Sequence, residues 1–200
     1  MLQSGMATQD RRGREHPARR RLITATARTL AEGEGWDAVT TRRLSTEIEC
    51  SQPVLYKHFG SMGDIVEAVA LEGFGELAEE LHEARHGGAA PGDDVGRVAT
   101  AFHGFAMKNP ALYDAMFTRA TRLRFSGEST PAPLAEAFGE LRDAVAAVAE
   151  RDVDTLTEAL WAALHGLVML GRNGRLRPGY DADRVELLVA QFRDAGSSAG

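Results

Sequence analysis

The sequence predicts an all-α protein, and three observations carry that reading. Apolar residues recur at helical spacing along the chain, no apolar-polar alternation persists long enough for a strand, and glycine- or proline-rich breaks separate the periodic stretches. About nine helices follow, with three short ones in front.

Ile23, Ala27, Leu30 and Ala31 form the stripe of the first helix, which should end near Gly33 and Gly35. Thr40 or Thr41 can cap a short second helix that runs through Ile48 and buries Leu44 and Ile48. Ser51 then caps a third, where Pro53 is tolerable because the first turn leaves its N–H groups unpaired. A fourth helix runs from about Ser61 to Arg85 and stops at the loop Gly87 to Gly92. Val95, Val98, Ala99, Phe102, Phe105 and Ala106 make the next stripe, and "NPALYDAMF" opens another. Leu134, Phe138, Leu141, Val145 and Val148 make a further one. The helix with Leu156, Leu160, Trp161, Leu164, Leu167 and Val168 is apolar around most of its girth, so it needs cover on two sides. Val185, Leu188, Val189 and Phe192 form the last stripe, after the break Asn173 to Gly179.

The bulk numbers narrow the function classes. At 200 residues and 44% hydrophobic the chain can bury a core of one or two small domains. Its apolar runs read as interrupted, short of the ~20 residues of a membrane span, and the polar start lacks a signal-peptide core, so a soluble cytoplasmic protein with no membrane partner is expected. The single cysteine, Cys50, excludes an internal disulfide and a four-cysteine zinc site. The net charge of −6 argues against nucleic acid until it is divided: +3 over residues 1–60 and −9 over residues 61–200. Arg11, Arg12, Arg14, Arg19, Arg20 and Arg21 precede the first apolar stripe, as expected where a flexible basic arm drawn to phosphate, residues 1–18, leads into the first helix; a merely solubilising tail would be written the same way.

The third helix is the most informative stretch. At about 100° per residue from Gln52, Leu55 and Phe59 share one side, at roughly 300° and 340°. Lys57 lies opposite, Pro53 and Val54 flank it, and Tyr56 and His58 stand on the two shoulders. A compact N-terminal edge can approach base edges in a major groove, while Tyr, Lys and His reach flanking phosphates. By spacing alone an ordinary amphipathic surface helix fits equally.

The stretch "TTRRLSTEIECSQPVLYKHFGSMGDIVEAV", Thr40 to Val69, resembles the helix-turn-helix of the TetR (tetracycline-repressor) family of bacterial regulators. Thr40, Arg42, Leu44, Glu47, Ser51, Leu55, Tyr56, His58, Phe59 and Ser61 match in register, with Gly35 at the expected distance, and the likeness covers residues 19–69. "NPALYDAMF" and "LWAALHGLVML", the latter with Trp161, His165 and Gly166, resemble the C-terminal type named for its Trp-His-Gly signature; Trp161 and His165 lie one turn apart, and Gly166 would permit close helix approach. The resemblance implies a DNA-binding domain over 19–65, a helical ligand-binding and dimerisation domain over 66–196, and DNA contacts from Thr40, Thr41, Arg42, Ser51, Gln52, Pro53, Val54, Tyr56, Lys57 and His58. It implies a homodimer that binds double-stranded DNA at a palindromic operator and responds to a small-molecule effector, most simply as a repressor with no enzymatic activity, cofactor or metal. Two departures stand out. The family usually has Gly where Glu49 stands, a position needing φ > 0, and a phosphate-binding Lys where this chain has Met62.

Other signals compete. "HEARH", His82 to His86, matches the zinc-protease pattern, but no third ligand is evident, the helix ends at once in Gly87 and Gly88, and the preceding residues are polar. A zinc hydrolase is therefore the remote alternative; a helical ligand-binding or interaction module that no longer binds DNA is the nearer one. Cys50 reads as a small buried hydrophobe, its thiol kept unreactive by Glu47 and Glu49. Phe102, His103, Met107, Tyr113, Met116, Phe117, Trp161 and His165 mix aromatic and sulfur groups suited to an adaptable pocket, and equally to a plain core.

Overall fold

The computed structural model describes residues 3–87, 93–120, 122–124, 129–149 and 151–197, with side chains from 16 to 192 within them. Among these residues it is helical without strands. The nine α-helices are α1 (Gln3–Glu34), α2 (Thr41–Glu47), α3 (Gln52–His58), α4 (Met62–His86), α5 (Asp94–Lys108), α6 (Pro110–Asp114), α7 (Ala132–Ala146), α8 (Val153–Arg172) and α9 (Asp181–Ser197). A 3₁₀ turn (Trp36–Ala38) follows α1 and a π-helical turn (Ala115–Arg119) follows α6. Helix α1 is longer than its apolar stripe predicts: the span expected as an arm carries helical backbone from Gln3, with Pro17 inside it. The side chains of Arg11, Arg12 and Arg14 lie outside the described residues, as does most of the loop expected at Gly87 to Gly92.

The chain divides into two compact units, residues 1–73 with 110–123 and residues 74–109 with 124–200. In the first, Ile23, Ala27, Leu30 and Ala31 are buried together with Leu44, Ile48, Leu55, Phe59, Ile65, Val69 and Ala70. Helix α6 and the turn after it also belong here, although "NPALYDAMF" was expected in the C-terminal domain. Three devices hold them. The Glu32 carboxylate accepts the Ala111 and Leu112 N–H groups at 3.0 and 2.9 Å, filling two of the donors a helix start leaves open. The Trp36 indole N–H donates to the Ala111 carbonyl at 2.8 Å. Gly73 leaves the gap into which Leu112 and Met116 pack: a Cβ there would stand 2.7 Å from Leu112 Cδ1 and 2.8 Å from Met116 Sδ.

In the second unit all six residues of the predicted α5 stripe are buried, and α5 packs against α7, α8 and α9. Arg97 donates to the carbonyls of Ala84 and Arg85, satisfying the open end of α4. Glu140 of α7 receives Arg85 Nε at 2.7 Å and His82 Nδ1 at 2.9 Å. Burial would raise the Glu140 carboxyl, but these two bonds outweigh it and hold it below the usual carboxylate range. Helix α7 buries Leu134, Ala137, Leu141, Ala144 and Val145; Phe138 and Val148, placed in the core by the pattern, are half-buried, and Phe138 meets Trp161 edge-on at 6.2 Å.

Helix α8 buries Thr157, Leu160, Leu164 and Val168 and leaves Leu156, Trp161, Leu167 and Met169 half-open, Leu170 exposed. At 20 residues it is long and apolar enough to cross a membrane by length and composition, more than the interrupted reading allowed. With only 22% of its apolar window buried, the remainder needs another surface. Helix α9 buries Val185 and Val189 while Leu187 is 64% exposed. Gly166, expected to admit a close helix, has open space where its Cβ would be.

Candidate nucleic-acid interface

The interface is built from α2, the turn after it, and α3. Thr40 caps α2, its hydroxyl accepting the Arg43 N–H at 3.1 Å. Helix α2 closes with Cys50 N–H donating to the Ser45 carbonyl at 2.9 Å and Glu49 N–H to the Thr46 carbonyl at 3.3 Å. These are the two bonds of a Schellman ending, which requires the residue after the cap to be left-handed. Glu49 takes that conformation, φ 50°, so the turn keeps its angle without glycine, at a cost of roughly 1–2 kcal/mol. The adjacent Cys50 is half-buried, less enclosed than its reading as a core residue implied.

Ser51 stands at the N-cap of α3 with extended backbone, but its hydroxyl makes no capping bond, contrary to expectation. Pro53 in the first turn presets the helix instead. Leu55 and Phe59 are buried, as their side of the helix requires. Gln52, Pro53, Tyr56 and Lys57 are exposed and Val54 and His58 half-buried. On α2, Arg42 is exposed and Thr41 half-buried, while neighbouring Arg43 is held by Glu34 and Glu47 at 3.0 and 2.9 Å.

Helix α1 adds a cationic wall that the pattern did not reveal. The Arg20 guanidinium lies 3.9 Å over the Phe59 ring and donates to the His58 carbonyl, closing the end of α3. The His16 and His58 rings stand 4.5 Å apart. Burial, then the charges of His16, Arg19, Arg20 and Lys57, lower the His58 pKa from its ordinary value. A cleft of about 750 Å³ opens here, lined in part by His16, Arg19, Val54, Lys57 and His58. Arg19 and Lys57 give this cleft its positive charge. At the start of α4, where Met62 replaces the expected lysine, Arg122 approaches within 3.8 Å of the space beside Gly63, but Asp64 and Glu67 hold its guanidinium.

The residues expected to line an effector pocket are divided. Tyr113, Met116 and Phe117 belong to the first unit, where Tyr113 and Met116 are fully packed and Tyr113 and Phe117 stack at 4.5 Å. In the second unit Phe102 is core, Met107 is 47% exposed, and Trp161 and His165 are half-buried. His103 lines a cleft of about 570 Å³ between α5 and α9, alongside Thr100, Val185 and Val189.

A short helix, anchored by two apolar residues behind a left-handed turn and bare on its polar side, defines a helix-turn-helix protein. Residues 23–69 match the description "Bacterial regulatory proteins, tetR family", and residues 95–192 match "Tetracyclin repressor-like, C-terminal domain". An uncharacterized HTH-type transcriptional regulator of Mycobacterium tuberculosis is 30% identical over 171 residues, covering 83% of this chain and 75% of that protein. The chain belongs to the TetR family of transcriptional regulators. Among solved structures, a protein of unknown function from Rhodococcus sp. RHA1 superposes with TM-score 0.71 at 20% identity, over 90% of this chain and 95% of its own. A tetR-family regulatory protein from Rhodococcus RHA1 gives 0.62 at 18%, over 86% and 96%. RolR in complex with resorcinol gives 0.63 at 14%, over 92% and 96%.

Proposed function

We propose that the protein is a homodimeric repressor that holds a palindromic operator and releases it when a small apolar or amphipathic effector binds. The carrying observation is the α3 face: Gln52, Pro53, Tyr56 and Lys57 exposed in front of Leu55 and Phe59, with the turn angle kept at Glu49. Gln52 to Val54 enter the major groove; Thr40, Thr41, Arg42, Ser51, Tyr56, Lys57 and His58 reach backbone and flanking bases. The uncovered apolar residues of α8 and α9 suit a second copy of the chain, whose α3 would sit about one helical turn, ~34 Å, from the first. The effector acts by favouring a dimer with a different spacing. RolR, whose structure holds resorcinol, supports an effector of that small amphipathic kind, and the α5–α9 cleft beside His103 offers one place for it. Such a regulator works in the cytoplasm.

Selection of bound duplexes from a random pool tests the reading: a palindrome should emerge, bound with an affinity that falls steeply with salt. Tyr56→Ala and Lys57→Ala should weaken that binding, and Lys57→Ala should lower the salt slope by about 1. Failure to enrich any sequence would favour a helical ligand-binding module instead. Unchanged binding in both variants would remove α3 from the interface.

A further inference from the structure

The "HEARH" motif gains from the fold what the sequence withheld, a third ligand. His82 and His86 lie one turn apart on the exposed side of the end of α4, their rings 4.1 Å apart. Glu140 reaches them from α7, and each of the three residues can offer one donor atom such that all lie within 4.8 Å of one another. We infer that His82, His86 and Glu140 form a binding site for a divalent transition-metal ion of the zinc class.

The surroundings suit that role. His86 Nδ1 lies 2.9 Å from the His82 carbonyl, to which it donates, leaving Nε2 with a free lone pair. Arg85 Nε holds the second carboxylate oxygen of Glu140 at 2.7 Å, so the first is fixed toward the histidines. Such outer partners orient metal ligands in established sites. Tetrahedral coordination at about 2.0–2.1 Å places ligand atoms roughly 3.3–3.5 Å apart, so the widest pair must close by up to about 1.5 Å and Glu140 must exchange its bond with His82 Nδ1 for the ion. Both histidines are exposed, and His82 can do so by turning its ring. Two imidazoles and one carboxylate are a borderline set that selects zinc, cobalt or nickel over magnesium or calcium, with water in the remaining position. Glu83, between the histidines, is exposed and is no part of the set.

Untagged full-length protein titrated with Co²⁺, followed by its visible absorption, and with Zn²⁺ by calorimetry tests the site. One ion per chain should bind saturably. His82→Ala and His86→Ala should each weaken it at least tenfold, and Glu140→Gln comparably, whereas Glu83→Gln and His103→Gln leave it unchanged. Because Glu140→Gln also weakens the pairing of Arg85, which keeps Asp143 at 3.2 Å, its thermal melt is recorded beside the titration; the exposed double variant H82A/H86A stands clear of that complication. Absence of a saturable ion, equal binding by the double variant, or full affinity in folded Glu140→Gln would each overturn the three-ligand site.

Discussion

In the first unit α2 and α3 bury Leu44, Leu55 and Phe59 and expose mostly polar and charged side chains. In the second, α8 and α9 are bare on apolar residues as well: Trp161, Leu167, Met169, Leu170, Leu187 and Phe192 are half-open or exposed. The first unit presents chemistry to a polar partner, and the second presents area to an apolar one. A single chain completes the first kind of surface; the second is the kind that the proposed second copy would cover.

Leu55→Ala should test the first half of this contrast most severely. It removes the anchor of a seven-residue helix and should cost about 2–5 kcal/mol in denaturant unfolding. A loss below 1 kcal/mol would mean that α3 is not held by its apolar side. Leu187→Lys probes the other half: it withdraws up to about 1.5–3 kcal/mol of apolar burial per chain from an interface. Sedimentation should then show monomer, with an unchanged helical spectrum, whereas an intact dimer would place the interface elsewhere. Glu49→Gly relieves the left-handed backbone and should stabilise the chain by up to about 1 kcal/mol, discounted by glycine's greater freedom when unfolded. The smallest effect is on pH dependence. Burial lowers the His165 pKa below its ordinary 6.5, so the unfolded chain takes up protons first as pH falls. The stability from neutral His165 is full above 6.5 and is lost as pH drops below it; His58 acts with the same sign. Melting temperatures from pH 7.5 to 5 should fall less steeply in His165→Gln.

The exposed face of α3 proposed to read DNA was legible in the sequence as a pattern of burial, because its determinants are local. Leu55, Phe59, Tyr56 and Lys57 lie within five residues, and one helical turn decides which are buried. Glu49 was legible as an anomaly and its angle was not, since only the two bonds to Ser45 and Thr46 fix it. The cationic wall needed α1 and α3 side by side: nothing in the spacing of Arg20 and Phe59 announces their 3.9 Å contact. By type Tyr113 and Met116 suit a pocket and a plain core equally; Glu32, Trp36 and the missing Cβ of Gly73 pack them into a core from far along the chain. Glu140 was invisible beside "HEARH" for the same reason, standing 54 positions beyond His86.

The clamp of Glu32 and Trp36 on α6 bears on the order of events during synthesis. The first unit closes only when residues 110–123 arrive, although its helix-turn-helix is complete by Gly73. At roughly 5–20 residues per second, translation spends about 2–7 s on the intervening residues 74–109. Through that interval the Gly73 notch has no side chains in it and the Trp36 indole no carbonyl to meet. A nascent chain therefore carries its reading helix before it can hold it firmly, and one halted before Pro110 would never finish the unit.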